Sequence, residues 1–137
     1  YLLEQWWAFF VCTWVWTVAE PILATYDTEL KKPRIFQFDE TGYFAEFDSF
    51  AGTGCGFEVI RGLLKDRYRK DLNKREAIDL AVRALLHSGM LSHGVSDARV
   101  ALPSIATISK SGFKWVSSKE ITAKTAEILK ETGGDNV

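Results

Sequence analysis

The chain is poor in the side chains that bind metals or form cross-links. Its 137 residues include two cysteines, Cys12 and Cys55, one methionine and two histidines. There is no Cys-x-x-Cys pair, and neither cysteine has a histidine at ligand spacing, which excludes a recognisable zinc motif. Two cysteines make no disulfide framework, so a reduced, intracellular, cytoplasmic protein is expected. An excess of one charge is also missing. Seventeen basic residues face eighteen acidic ones, for a net charge of −1. No basic stripe offsets that balance, because Lys65, Arg67, Arg69 and Lys70 are interleaved with Asp66 and Asp71. A nucleic-acid partner is therefore not expected. Trp6 to Ala19 is apolar, but it falls short of the roughly 18–20 residues needed to span a bilayer. It also lacks the basic flank and small-residue cleavage site of a signal peptide.

What is present reads as one domain over residues 1–137. Hydrophobic content of 47% and charged content of 26% are ordinary for a globular core and a solvated surface. Four of the five tryptophans lie between Trp6 and Trp16. Residues 1–19 are expected to form a buried or interface helix, with membrane contact as the other reading. If exposed, so much apolar area needs a partner. The chain begins with Tyr1, so an upstream segment removed, or a fragment of something longer, is expected.

The stretch that organises the rest is Ala51-Gly-Thr-Gly-Cys-Gly56. Three glycines in five residues imply positive φ or a very close neighbour. The turn runs into an amphipathic helix, Phe57 to Tyr68, with Ile60, Leu63 and Leu64 on one side. Two readings stand together: a tight strand-to-helix turn without chemistry, or backbone N–H groups of Gly54, Gly56 and their neighbours cradling an anion or oxyanion. No Gly-Lys-Ser/Thr follows, so it is not a phosphate-binding Walker loop. The third glycine spacing and the missing βαβ unit exclude a dinucleotide fingerprint.

Around this turn, alternation predicts strands at Pro21–Thr28 (buried), Arg34–Asp39 and Tyr43–Phe50. A charged loop closed by Pro33 separates the first two, and a hairpin turn at 39–42 separates the second and third. Asn73 with Glu76 forms a capping box opening a second helix, which Gly89 is expected to stop. A loop is predicted at 90–100, and strands at 104–109 and 113–116 around Ser111-Gly112. Ser117 and Glu120 open a last helix to about Thr132, and 133–137 is a frayed tail. Strands and helices come in blocks, which predicts an antiparallel α+β fold with two helices together on one sheet face.

These elements, in this order, resemble the C-terminal half of a 20S proteasome subunit, an N-terminal-nucleophile hydrolase. The resemblance lies in Ile22-Leu-Ala-Thr-Tyr-Asp27, in the hairpin Pro33-Arg-Ile-Phe-Gln-Phe-Asp-Glu-Thr-Gly42, and in the turn Thr53-Gly-Cys-Gly56. It continues through Arg61 to Tyr68, Glu76 to Leu85, and Ile105 to Gly112, covering about Ala19 to Leu129. Thr53-Gly-x-Gly56 and the long 90–103 loop look more β-type than α-type. The resemblance implies a four-layer α-β-β-α sandwich, of which this chain carries the C-terminal half. It also implies a ring of other subunits as partners, unfolded polypeptide as substrate, and no cofactor.

It further implies a threonine protease, in which an N-terminal threonine hydroxyl attacks while its own amine acts as base. That threonine half is not matched here. Two supporting positions do match, with substitutions. Cys55 stands where the family has serine. In Met90-Leu-Ser-His-Gly94, Met90 stands for an aspartate and His93 for a hydroxyl residue. Methionine carries no charge and accepts hydrogen bonds only weakly, so the proton network would be broken. Cys55 is expected to be a small buried hydrophobe and His93 structural, with His87 on a helix surface. The alternative is a Cys55–His93 nucleophile pair, which requires the two within hydrogen-bond reach. A non-catalytic, pseudoenzyme scaffold is the competing function.

Overall fold

The computed structural model describes residues 20–93 and 101–131, so the expectations for 1–19, 94–100 and 133–137 fall outside the described residues. The fold is mixed α+β. Three strands come first: β1 (Ile22–Asp27), β2 (Lys32–Phe38) and β3 (Phe44–Phe47). Helices α1 (Cys55–Arg67) and α2 (Lys74–Leu91) follow. Strands β4 (Ala106–Ser109) and β5 (Gly112–Trp115) and helix α3 (Ser118–Glu131) complete the order. Strands β1, β2 and β3 form one antiparallel sheet in sequence order, and β4 and β5 form a separate hairpin. Strand β1 runs beside β4 without joining its ladder.

The core sits on the helical side of the molecule. Ile78, Val82 and Leu86 follow one another at i, i+4 on α2 and meet Ile105, Val116, Ile121 and Ile128. That spacing places one face of α2 on α3 and on the base of the β4–β5 hairpin, where Ile105 precedes β4 and Val116 follows β5. Leu80, Ala84 and Ser88 are also buried, on the opposite row of α2, and α1 packs against this helix. Helix α2 is thus buried along two rows, and Val82 is fully enclosed.

The three-stranded sheet is different. The expected buried strand at 21–28 is exposed over its first half, because β1 is an edge strand with little described chain above it. Phe44 is 54% exposed and Phe47 38%. Phe36 and Phe38 are half-buried, and the Phe44 ring centre lies 6.0 and 5.5 Å from theirs. One face of the sheet is tied together by charge. Arg34 donates from Nε and Nη2 to the two Glu46 oxygens, at 2.8 and 2.7 Å, and from Nη1 to Asp27 at 3.3 Å. One guanidinium therefore bridges all three strands, with its Cζ 4.7 Å from the Phe36 ring centre. Its hydrogen bonds hold the Glu46 carboxyl below the ordinary carboxylate range.

Several boundaries differ from the sequence expectation. Pro33 lies inside β2 rather than in a loop. It is tolerated because β3 pairs with β2 only from Ile35 onward, so no second ladder needs a donor at Pro33. Helix α2 runs through Gly89 to Leu91, and Met90 is therefore helical. Gly89 does not take the left-handed conformation that would end the helix, and burial of Leu86 and Ser88 carries the helix past it. The Ser92 N–H then closes it on the Ser88 carbonyl at 2.9 Å. The Asn73 capping box is present. Asn73 Oδ1 accepts from the N–H groups of Arg75 and Glu76, and Glu76 accepts from the Asn73 N–H at 2.9 Å.

An ion network clamps α2 to α3. Arg83 donates to Asp79 at 2.7 Å and also pairs with Glu131. Lys124 donates to Asp79 at 3.2 Å and to Glu127 at 2.8 Å. Burial pushes the Asp79 carboxyl up, but Arg83 and Lys124 together hold it below its ordinary value of 3.8. A lowered carboxylate contributes stability above that value and loses it as pH falls through the folded-state value. Asp79→Asn should therefore cost about 1–2 kcal/mol at neutral pH, between the ranges for exposed and buried pairs. Its acid limb should be shallower than the parent's when denaturation is followed from about pH 7 to about pH 3. Parallel acid limbs in parent and variant would contradict this assignment.

Candidate functional site

The glycine turn opens a groove of about 1100 Å³ between the sheet and α1. Its floor and walls include Ala45, Phe47, Phe50 and Phe57, and its rim carries Glu20, Asp39, Glu58, Arg61 and Lys65. The turn is shaped by two glycines for two reasons. Gly54 has φ +86, a left-handed conformation that side chains resist, and it stands as the N-cap of α1. Gly52 has no room for a side chain, because a Cβ there would lie 1.9 Å from Phe57 Cδ2. The Phe57 ring lies over Gly52 and meets Phe50 edge-on, with centres 6.5 Å apart.

Because Gly54 makes the turn, the helix starts at Cys55, two residues earlier than the sequence suggests. Gly56 is buried in its first turn. The Phe57 N–H donates to the Gly54 carbonyl at 3.0 Å, and Gly54 offers no side-chain cap. Glu58 in the first turn and Lys65 and Arg67 in the last complement the helix dipole. The Thr53 hydroxyl donates to Glu20 at 2.8 Å, which fixes the chain entering β1 to the groove wall.

Of the residues singled out from the sequence, Gly54 and Cys55 line this groove, while Met90 and His93 do not. Cys55, the first residue of α1, is an exposed free thiol and not the buried hydrophobe expected. Met90 is half-buried in the last turn of α2, and His93 is exposed just beyond it. No hydrogen bond joins Cys55 to His93. Gly94 lies outside the described residues. His87 is half-buried rather than on the surface. Its Nδ1 lies 2.9 Å from the Arg83 carbonyl, so in the tautomer that donates there it makes a bond within its own helix. Among the described residues no group of His, Cys, Asp or Glu is placed to hold a metal ion. None of the described helices is long and apolar enough to cross a membrane.

The charge networks were missed by reading the sequence. Asp79 with Arg83 and Lys124 with Glu127 carried a signal, at i, i+4 and i, i+3. The Lys124–Asp79 and Arg34–Glu46 contacts carried none.

Known proteins resemble this chain across the site. The family model described as Proteasome subunit matches residues 16–99, more than half of the chain, including the glycine turn, α1 and α2. The chain is 33% identical over 112 residues to a protein named proteasome subunit beta from Streptomyces griseus, covering 80% of this chain and 40% of that protein. It is 32% identical over 112 residues to proteasome subunit beta 2 of Thermomonospora curvata, with the same coverage. It is 30% identical over 94 residues to proteasome subunit beta of Methanosarcina mazei, covering 69% of this chain and 43% of that protein. The chain thus spans about two fifths of the length of the curated relatives it matches.

The contact between Gly52 and Phe57 is testable. Gly52→Ala should destabilise the chain, and the same change on a Phe57→Ala background should cost less. The coupling in a double-mutant cycle read by denaturation should be about 1 kcal/mol or more. Additive effects would show that the ring does not occupy that place.

Proposed function

Because the chain belongs to the proteasome subunit family, on its β-type side, we propose that it works as part of a subunit in a proteasome-type threonine protease complex for protein degradation. The observation that carries this reading is the glycine turn running into α1 and then α2, in the family's order, within the matched residues 16–99. The partners are other subunits in a ring, and the substrate is unfolded polypeptide reaching the complex, in the cytoplasm.

The four-layer sandwich of the family is proposed with it. It is supported by the three-stranded sheet, whose Phe44, on the face opposite Phe47 and the groove, stays 54% exposed where a further layer would lie. Burying one such ring is worth on the order of 1.5–3 kcal/mol, a large share of a net stability of about 5–15 kcal/mol.

In this reading the 137 residues do not cleave peptides by themselves. Chemistry in the family needs an N-terminal threonine, whose hydroxyl is the nucleophile and whose amine is the base. Cys55, Met90 and His93 stand where the family's supporting groups are expected. Met90 can neither hold a charge nor accept the hydrogen bond of an ammonium as a carboxylate does. These substitutions favour a second reading, a non-catalytic scaffold that keeps the fold for subunit contacts.

Hydrolysis of fluorogenic peptides by the purified chain separates the first claim from its failure. None is expected, and turnover by the chain alone would overturn the reading. Native mass spectrometry then decides between complex and scaffold. A ring-sized assembly with a companion polypeptide bearing an N-terminal threonine supports the protease complex. A homo-oligomer of this chain alone supports the scaffold. Within a complete assembly, Met90→Asp with His93→Ser should raise peptidase activity for a degenerate enzyme and leave a scaffold silent.

A further inference from the structure

A second cleft, of about 580 Å³, lies where the end of α1, the 68–73 connection, α2 and α3 meet. Arg67 lines it as the last residue of α1, roughly 18 Å along that helix from the glycine turn. No aromatic ring lines the cleft, and Leu72 and Leu80 are its only apolar side chains. The rest of the lining is charged, with five cations and four carboxylates.

The charges are nearly balanced, but their commitments are not. Three of the four carboxylates are already engaged. Asp79 holds Arg83 and Lys124, at 2.7 and 3.2 Å, and Glu127 holds Lys124 at 2.8 Å. Glu76 accepts the Asn73 N–H to cap α2. These contacts occupy Arg83 and Lys124 and leave three guanidinium groups. Arg69 comes no closer than 3.5 Å to Glu76 and 3.8 Å to Asp71, longer than a good hydrogen bond. The side chains of Arg67 and Arg75 make no hydrogen bond or ion pair among the described residues. Arg75 acts on Glu127 as a charge alone. Among the described residues, Asp66 is the one lining carboxylate without a partner. In the sequence Asp66 and Asp71 offset these arginines, but Asp71 does not line the cleft and its side chain is 84% exposed. The fold thus collects three guanidinium groups against one free carboxylate.

We propose that this cleft binds a small multivalent oxyanion, an oligophosphate or a tricarboxylate, held by Arg67, Arg69 and Arg75. The guanidinium fork matches the paired oxygens of either group. Several charges on one ligand are needed, because Asp66 opposes a single one. With no ring to stack on, the cleft favours an anion without an aromatic group. Once bound, the anion ties the end of α1 and the connection to the first turn of α2. This inference uses only the cleft and its charges, so it stands apart from the family reading and from the groove at the glycine turn.

Calorimetric titration of the 137-residue chain with tripolyphosphate and, separately, with citrate tests it. Saturable one-to-one binding is expected, weakening as salt rises, and the tighter of the two identifies the class of anion. Arg67→Gln and Arg75→Gln, at exposed positions without partners, should melt as the parent does. Each should weaken binding by about tenfold or more, as expected for loss of a charge-assisted contact. Asp66→Asn should tighten binding, while Glu40→Gln, a matched change at the 39–42 turn, should not. Lys110→Gln removes a positive charge between β4 and β5, outside the cleft, and should leave binding unchanged. Equal losses in Lys110→Gln and the arginine variants would show unspecific attraction and overturn the proposal. Neither saturable heat nor a rise in melting temperature with either anion at low salt would also overturn it.

Discussion

Burial of α2 on two opposite rows is the constraint on which the rest of the structure depends. Ile78, Val82 and Leu86 close the core with α3 and with Ile105 and Val116 at the base of the β4–β5 hairpin. Leu80, Ala84 and Ser88 are buried on the other row, and α1 packs on the helix. A helix apolar on most of its circumference must be surrounded, so the placement of α1, the hairpin and α3 follows from it. The Asp79–Arg83–Lys124 contacts align α2 and α3 once they have met, but they lie at the edge of that core.

The glycine turn stands where this helical layer joins the sheet. Gly54 turns the chain and Gly52 admits the Phe57 ring, so the direction of α1 is set by the backbone before any side chain caps it. One consequence is chemical. The residue after the turn becomes the first residue of a helix and faces the groove, and here that residue is Cys55.

Local signals were the ones legible in the sequence. Asn73 and Glu76 announced the start of α2, because a capping box uses only neighbours. Asp39 and Gly42 announced the hairpin for the same reason, with Asp39 accepting from the Thr41 N–H and hydroxyl and from the Tyr43 N–H. The ordered elements were enough to suggest the family, which the comparisons then showed. Readings that depended on who covers whom did not transfer. Gly89 looked like a stop, but packing of its neighbours carried α2 onward. Cys55 looked like a small core residue, but no described layer covers it. Pro33 looked like a loop residue because alternation cannot reveal that β3 is too short to reach it. The separation of Met90 and His93 from the Cys55 groove is likewise a tertiary fact, invisible in their spacing.

The central claim is that stability is concentrated around α2, while the β1–β3 sheet is peripheral until something covers it. Amide hydrogen exchange, residue by residue, tests this most directly, because exchange reports local opening. The account predicts slow exchange for α2 and for the Val116 N–H that donates to the Ile105 carbonyl at the base of the β4–β5 hairpin, in the chain alone. It predicts much faster exchange for β1 to β3, and protection there on assembly. Equal protection of β1–β3 and α2 in the unassembled chain would contradict it.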